Sequence, residues 1–506
     1  MSMRRLTFSV LTLSSVIACG VVLAMAATTP PAKPAPAAKA APAAPATPAT
    51  TATPAAKPAA KAPVKATTPG AIKAETIPPG YHFPTPRKVI DGWVAVNATG
   101  KFRAHAWDVW AGMTAPSHSV HAGQRLPIWE TWYSENEVFV KPGNKSEAEA
   151  VRTEVKRPFA KPRQLFHVAN AKGLATPASN EQVVAFNKFD PESARFLMAS
   201  HPTPKGSANS YLYTQAADLT KLDASWPSGT PVVNRAIVDF PDRAVDTKPV
   251  MWLIKATGGL TPFPLWQGNG SDATTNTTNP TPQTWLNCVL IDPKGKGGLR
   301  PATPAEVKNA IANSNLACDA KKYLYAPLSM MYNFKLTAQE ATDFNSAQGG
   351  PPLPQAVAGD FAVLAAMHVT TKEIVNWTWQ TFWWTGTKNP PKSFPGSTAG
   401  MTANVKGPWR NYATCVAYSM VVPYNDPNGK PVVCFNPFLE TSPGIPDGIN
   451  SNCMSCHGTA RWPGNNNGGY PATYLPNGYI NFGDPTWFGN QTRTDFAWAV
   501  PVQAVK

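Results

Sequence analysis

The sequence has no G-x-S-x-G elbow, no H-E-x-x-H pair and no G-x-x-x-x-G-K-[ST] loop. Serine hydrolysis, zinc proteolysis and nucleotide hydrolysis are therefore left without the local geometry each of them needs. One segment, Gly268-Asn269-Gly270-Ser271-Asp272-Ala273, nominally fits a dinucleotide fingerprint, but the polar Thr and Asn run behind it opens no helix, so it reads as loop. No repeat of fixed period is evident. Methionine and histidine are both missing between Gly458 and Lys506, and cysteine is scarce, with 7 residues in the chain. These gaps matter because the few sulfur and imidazole groups that remain carry the chemistry.

The first residues read as an export signal. Arg4 and Arg5 precede an apolar run from Leu6 to Leu23, interrupted by Thr, Ser and Gly, and Ala24-Met25-Ala26 before Ala27 is an A-x-A cleavage site. The interruptions and the cleavage site favour a removed signal peptide over a membrane anchor, by the general secretory route and not a twin-arginine one. Val16-Ile17-Ala18-Cys19 also resembles a lipoprotein cleavage site that would leave a lipid on Cys19, although the apolar Val21-Val22-Leu23 behind it argues against this. From Ala27 to Glu75 the chain is almost entirely Ala, Pro, Thr and Lys, a composition that builds no core and behaves as an extended spacer.

Net charge is +15, which raises the question of nucleic acid. Residues 1–75 hold eight basic side chains against Glu75 alone, so seven of the 15 charges sit in the leader and spacer, and the rest are diluted over several hundred residues. An exported chain meets little nucleic acid. The spacer lysines fit a solvated tract or a weak contact with an anionic membrane surface, and no nucleic-acid partner is expected.

The densest chemical signal is Cys453-Met454-Ser455-Cys456-His457, a C-x-x-C-H sequence. Residues three and four apart share a helical face, so two thiols and one imidazole can point the same way. Asn450, Ser451 or Asn452 can cap such a turn, and Gly458 suits a left-handed residue that stops it. A redox dithiol would need a strand before it, whereas residues 442–448 read as loop, and a zinc site would need a second close Cys or His pair.

Over about residues 447–462 the chain resembles c-type cytochromes, and this resemblance implies one covalently attached haem c, held by Cys453 and Cys456 with His457 as an iron ligand. The small one-domain members carry the haem motif near the N-terminus and a methionine ligand downstream. This chain departs from that pattern, because nothing after Gly458 can ligate through Met or His.

The second axial ligand must then come from upstream or be lacking. His368 is the leading candidate, since it follows the apolar run 361–367 and a strand there would reach the core. Met367 is the alternative, and strand alternation lets only one of the two face the iron. Met401, Met420, His105 and His121 are weaker candidates. The bland reading of His368 is a buried imidazole bonded to backbone or to a carboxylate such as Glu373.

With Cys19 in the signal and two cysteines on the haem, Cys288, Cys318, Cys415 and Cys434 remain. An even remainder in an exported chain suggests two disulfides. Of the three connectivities the sequence-local pairs Cys288 with Cys318 and Cys415 with Cys434 are favoured, against four buried thiols.

The globular region reads as α+β, β-dominated, with long loops, a few short helices and the haem turn near the C-terminus. Strand-like composition marks 93–96, 232–233 with 236–238, and 250–254, and Asp426-Pro427-Asn428-Gly429 reads as a turn between 421–422 and 432–433. Helices are expected to open at Asp190-Pro191, at Thr303-Pro304-Ala305-Glu306 and at Thr337-Ala338-Gln339-Glu340. The tryptophan-rich run 377–384 reads as core filling, or as a stacking platform if its rings are exposed. The expected division is 1–26 signal peptide, 27–75 disordered Ala/Pro/Lys-rich linker, 76–345 β-rich domain and 346–506 haem region.

These readings converge on an exported mono-haem c-type cytochrome in the periplasm or outside the cell, transferring electrons to a partner protein. The alternatives are a haem-dependent oxidoreductase with an open iron site, or an aromatic-rich binding protein with ancillary haem.

Overall fold

The computed structural model describes residues 71–141, 152–162, 182–268, 278–311, 314–348, 353–386, 393–442, 445, 447–463 and 477–505. The expected signal peptide, the lipidation motif at Cys19 and most of the spacer lie outside the described residues. The spacer's last residues, 71–75, are held by the fold. Ile72 N–H donates to the Arg152 carbonyl, Glu75 N–H donates to Thr131 Oγ1, and the Glu75 carboxylate accepts from His118 N–H at 2.8 Å.

An eight-stranded antiparallel sheet organises the molecule. Its strands are β1 (Tyr133–Ser134), β2 (Val184–Ala185), β3 (Lys188–Phe189), β4 (Val245–Ile254), β5 (Asn333–Lys335), β6 (Phe361–Thr371), β7 (Thr378–Trp384) and β8 (Tyr412–Ala417). The main path runs β8-β7-β6-β4-β3-β1, with β5 paired to β6 and β2 to β4. Strands from both sides of position 345 thus share one sheet, and residues 65–506 cluster as a single unit. A smaller sheet, 261–264, 288–292, 300–301 and 323–327, stands beside it and includes a parallel pair.

One face of the large sheet is a dry core. Helix α2 (Thr99–Met113) follows α1 (Arg87–Ala95), and α2 is enclosed on most of its circumference, burying every residue from Phe102 to Met113 except Arg103, Ala104 and Asp108. Trp110 stacks on Phe382 of β7 at 4.1 Å between ring centroids, and Met367, opposite Phe382 in register, is fully buried on that face. The strand expected at 93–96 is therefore wrong. Ile90 and Val94 are the buried pair of α1, four residues apart, so helical burial outweighs the β-propensity of Trp93, Val94 and Val96. Residues 232–234 form a 3-10 turn and not a strand, and 236–238 contribute only an isolated bridge from Ala236 to Arg493.

Elsewhere the local grammar holds. Helix α3 (Pro191–Met198) starts on Asp190, whose carboxylate accepts Ser193 N–H at 2.8 Å. Helices α4 (Pro304–Ile311) and α5 (Ala338–Gln348) begin at the two capping boxes; Thr303 N–H donates to Glu306 and Thr337 N–H to Glu340. Residues 250–254 lie within β4, and the 426–429 turn joins strands at 421–422 and 430–431. The class is α+β, but helix and strand contribute near-equal shares, so β-dominance is corrected. Helical pairing of α1 and α2 against the sheet is what the strand-centred reading overlooked.

Cys288 pairs with Cys318, and Cys415 with Cys434, with Cα atoms 5.8 and 5.6 Å apart. Among the described residues no helix is long and apolar enough to cross a membrane.

Candidate functional site

The C-x-x-C-H sequence forms a short helix, α6 (Cys453–Gly458). Asn452 caps it: its side-chain oxygen accepts Ser455 N–H at 3.0 Å, while its amide group donates to the carbonyls of Val432 and Ser419. Cys453 N–H donates to the Cys434 carbonyl, and Cys434 N–H to the Ser451 carbonyl. Because Cys434 is also tied to Cys415 of β8, the disulfide anchors the entry to α6 onto the sheet. Gly458 does not stop the helix in a left-handed conformation. It is the last helical residue, and a Cβ there would stand 3.0 Å from the Met420 side chain and 3.4 Å from the Phe496 ring, so glycine serves close packing.

His457 is the most constrained group of the motif. Its Nδ1 donates to the Phe496 carbonyl at 2.9 Å, which leaves Nε2 as the basic nitrogen. Its ring lies against the Trp379 indole, with centroids 4.2 Å apart. Burial pushes its pKa down to about 3; the Phe496 carbonyl opposes this, and the proximity of His368 and Lys248 adds to it. At neutral pH the imidazole is therefore uncharged and able to donate a lone pair.

Cys456 and His457 open onto a cleft of about 120 Å³, between the second face of the sheet and the C-terminal segments. Strand register lays out its floor. One cross-strand row is His368 and Lys248; the next is Trp379, Thr370, Asp246 and Phe189. Opposite these stand Phe496, Trp498 and Val502, the last on α7 (Ala499–Gln503), with Glu440 and Ile445 at one end. The aromatic lining with a few convergent polar groups suits a planar ligand.

His368 lies on this cleft, as strand alternation allowed, and Met367 is on the other face. Its carboxylate partner is Glu440, not Glu373. His368 Nε2 stands 3.0 Å from Glu440 Oε1, and Glu440 Oε2 accepts Asn436 N–H at 2.6 Å. Glu373 is instead the partner of His105, on the α2 face. Met420 sits behind α6, its sulfur accepting Ile480 N–H at 3.4 Å, and neither it nor Met401, His105 or His121 is among the residues lining the cleft.

Glu440, Lys248 and Asp246 were not anticipated from sequence. Alternation in Val245-Asp246-Thr247-Lys248 would have placed both charged residues on one strand face, but nothing near Glu440 marks it. Burial pushes Asp246 up to about 8, with the neighbouring carboxylates Asp190 and Asp495 adding to the effect, and one of its carboxylate oxygens is buried without a hydrogen-bond partner among the described residues.

Trp377 and Trp379 line the cleft but are only 1% and 5% exposed, so they form walls and not an external stacking platform. Cys453 and Cys456 belong to neither disulfide. Among the described residues no group of three or more His, Cys, Asp or Glu is arranged to hold a metal ion by itself.

The donor set can be tested against a porphyrin tethered through two thioethers. Cys456 and the Nε2 lone pair of His457 fit, because both belong to the aromatic cleft wall. Cys453 does not line the cleft: its thiol, which burial raises well above the usual range, donates to the Cys434 carbonyl at 3.3 Å, and a second thioether would require that bond to break. Comparison with protein-family models, curated proteins and solved structures returned no match.

Proposed function

We propose that this chain is an exported mono-haem c-type cytochrome that transfers electrons to a partner protein, with haem c attached through Cys453 and Cys456 and its iron ligated by His457. The observation that carries the proposal is the Nδ1 contact of His457 with the Phe496 carbonyl, which reserves Nε2 for a metal at the wall of an aromatic cleft. A carbonyl that accepts the other ring N–H fixes the tautomer and raises the basicity of a ligating imidazole. When bound, the haem supplies a one-electron redox centre. The chain would hold it in the cleft, where Trp379, Phe496 and Trp498 would exclude water and His368 on the sheet would be available as a second protein ligand. Two disulfides and the leader sequence support a periplasmic or extracellular location.

A second reading rests on a separate observation. His368 Nε2 is already held by Glu440 Oε1, so ligation through that nitrogen requires the pair to separate. If it stays intact, a bound haem would lack a second protein ligand from His368, and His368 with Glu440 would hold and move a proton in the same cleft, as a haem-dependent oxidoreductase requires.

The test is an absorption spectrum of the reduced protein, made in a host competent in cytochrome maturation, with and without carbon monoxide. A pigment that resists acidified organic solvent and a spectrum indifferent to the gas are expected. A shifted Soret band selects the open-site reading, and colourless protein, or pigment that extracts, overturns both.

A further inference from the structure

The residues that hold the Phe496 carbonyl form a device of their own, outside the cleft. Thr494 O accepts Ala497 N–H at 2.9 Å, closing a tight turn whose two central residues, Asp495 and Phe496, have φ of +48° and +65°. Turns with two such central residues normally use Gly, Asn or Asp, and a phenylalanine there is strained. Strain of this kind persists only where the surroundings over-determine the backbone.

Here the surroundings are a buried ion pair. Lys372 is fully buried immediately after β6, and its Nζ donates to Asp495 Oδ1 at 2.5 Å and to the Val375 carbonyl at 2.8 Å. Asp495 Oδ2 accepts Phe240 N–H at 3.0 Å, so both carboxylate oxygens are used. Asp239 lies 3.6 Å from the same ammonium and is largely exposed. The backbone of Lys372 is itself pinned, its N–H donating to the Ala244 carbonyl. The other end of the turn is tied to the helix-and-strand segment after α6 through Thr494 N–H and the Ala460 carbonyl.

We infer that Lys372 and Asp495 are positioning residues that clamp the strained 495–496 turn to the sheet and so aim the Phe496 carbonyl at His457 Nδ1, fixing which imidazole nitrogen is left for a metal. This rests on the haem reading only for its consequence, since the tautomer can be read without haem. A clamp at the end of β6 also explains why a phenylalanine is held in an unfavourable backbone conformation beside the motif: the carbonyl must point inward to meet a nitrogen on α6.

The experiment uses the full chain, made with and without cytochrome maturation and labelled with ¹⁵N-histidine, read at pH 7 by long-range proton–nitrogen correlation. Wild type should show His457 only as the Nδ1-protonated form. In the chain made without maturation, where no iron fixes the proton on Nδ1, Lys372→Met and Asp495→Gly should lose that single signature and show both tautomers, while Lys372→Arg keeps it. Glycine accepts the positive φ without strain, so Asp495→Gly decides the matter if Lys372→Met fails to fold.

In haem-loaded material the same two variants should raise the midpoint potential, because a less basic imidazole stabilises the oxidised iron less. Folded variants that retain one His457 tautomer and the wild-type potential overturn the clamp. A tautomer change in a chain that never binds haem keeps the clamp and removes the haem reading; haem binding with an unmoved tautomer does the reverse.

Discussion

The two faces of the central sheet each carry a histidine paired with a glutamate, at nearly the same distance and with opposite surroundings. His105 and Glu373 stand 3.1 Å apart with side chains 2% and 0% exposed; His368 and Glu440 stand 3.0 Å apart with side chains each 14% exposed. In the first pair every remaining contact is taken. His105 Nδ1 stands 2.6 Å from the Tyr418 hydroxyl, and Glu373 accepts from Thr85 N–H and the Thr371 hydroxyl. In the second, His368 Nδ1 makes no further hydrogen bond among the described residues, and the ring lines the cleft with His457. An imidazole–carboxylate contact is thus no sign of chemistry by itself. A closed network rigidifies a core, and an incomplete one beside a cavity is available for work.

Three substitutions test that contrast. The largest effect belongs to the closed pair: Glu373→Ala leaves the buried His105 without its carboxylate and removes the acceptor of Thr85 N–H, while the Thr371 hydroxyl keeps its contact with Thr378 Oγ1. It should cost about 3–5 kcal/mol in urea unfolding, as removal of one partner of a buried pair does, with no change in the absorption spectrum. A spectral change there would break the distinction between the faces.

Asp246 gives the intermediate effect, through pH. Its folded pKa of about 8 lies above the ordinary carboxylate value of 3.8, so the native state keeps a proton that the unfolded chain releases. The associated stability is complete below about pH 4 and is lost as pH rises toward 8. Asp246→Asn should remove part of that decline, about 1–3 kcal/mol between pH 5 and pH 8 by chemical denaturation. Asp190, pushed up to about 7 chiefly by burial, should leave a residual slope of the same sign.

The smallest effect on stability is expected for His368→Ala, roughly 1 kcal/mol or less, because Glu440 retains the Asn436 N–H and is partly solvated. Its signature is spectroscopic. In haem-loaded protein it should convert a low-spin spectrum to a high-spin one, and an untouched spectrum would remove His368 as a ligand.

Several local features were legible because they depend on neighbours in sequence. The three capped helices, the 426–429 turn and the strand that carries His368 follow from short-range hydrogen-bond rules and from alternation, which put Met367 in the core and His368 across from it. The 93–96 strand failed because helical pairing of Ile90 with Val94 against distant partners outweighed residue propensity. The partner of His368 failed for a related reason: Glu373 is close in sequence but faces the other side of the sheet, and Glu440 arrives from a loop more than seventy positions away.

The amino-acid order alone determined that two thiols and an imidazole share one helical turn, because spacing and capping act within a few residues. It also left Cys288, Cys318, Cys415 and Cys434 as an even set. Only the tertiary structure decided which imidazole nitrogen is spent on the Phe496 carbonyl, which carboxylate meets His368, and that a cleft joins them. Those outcomes require the sheet, the segment after α6 and the C-terminal turn to meet, and contacts between such remote parts of the chain leave no periodic trace in it.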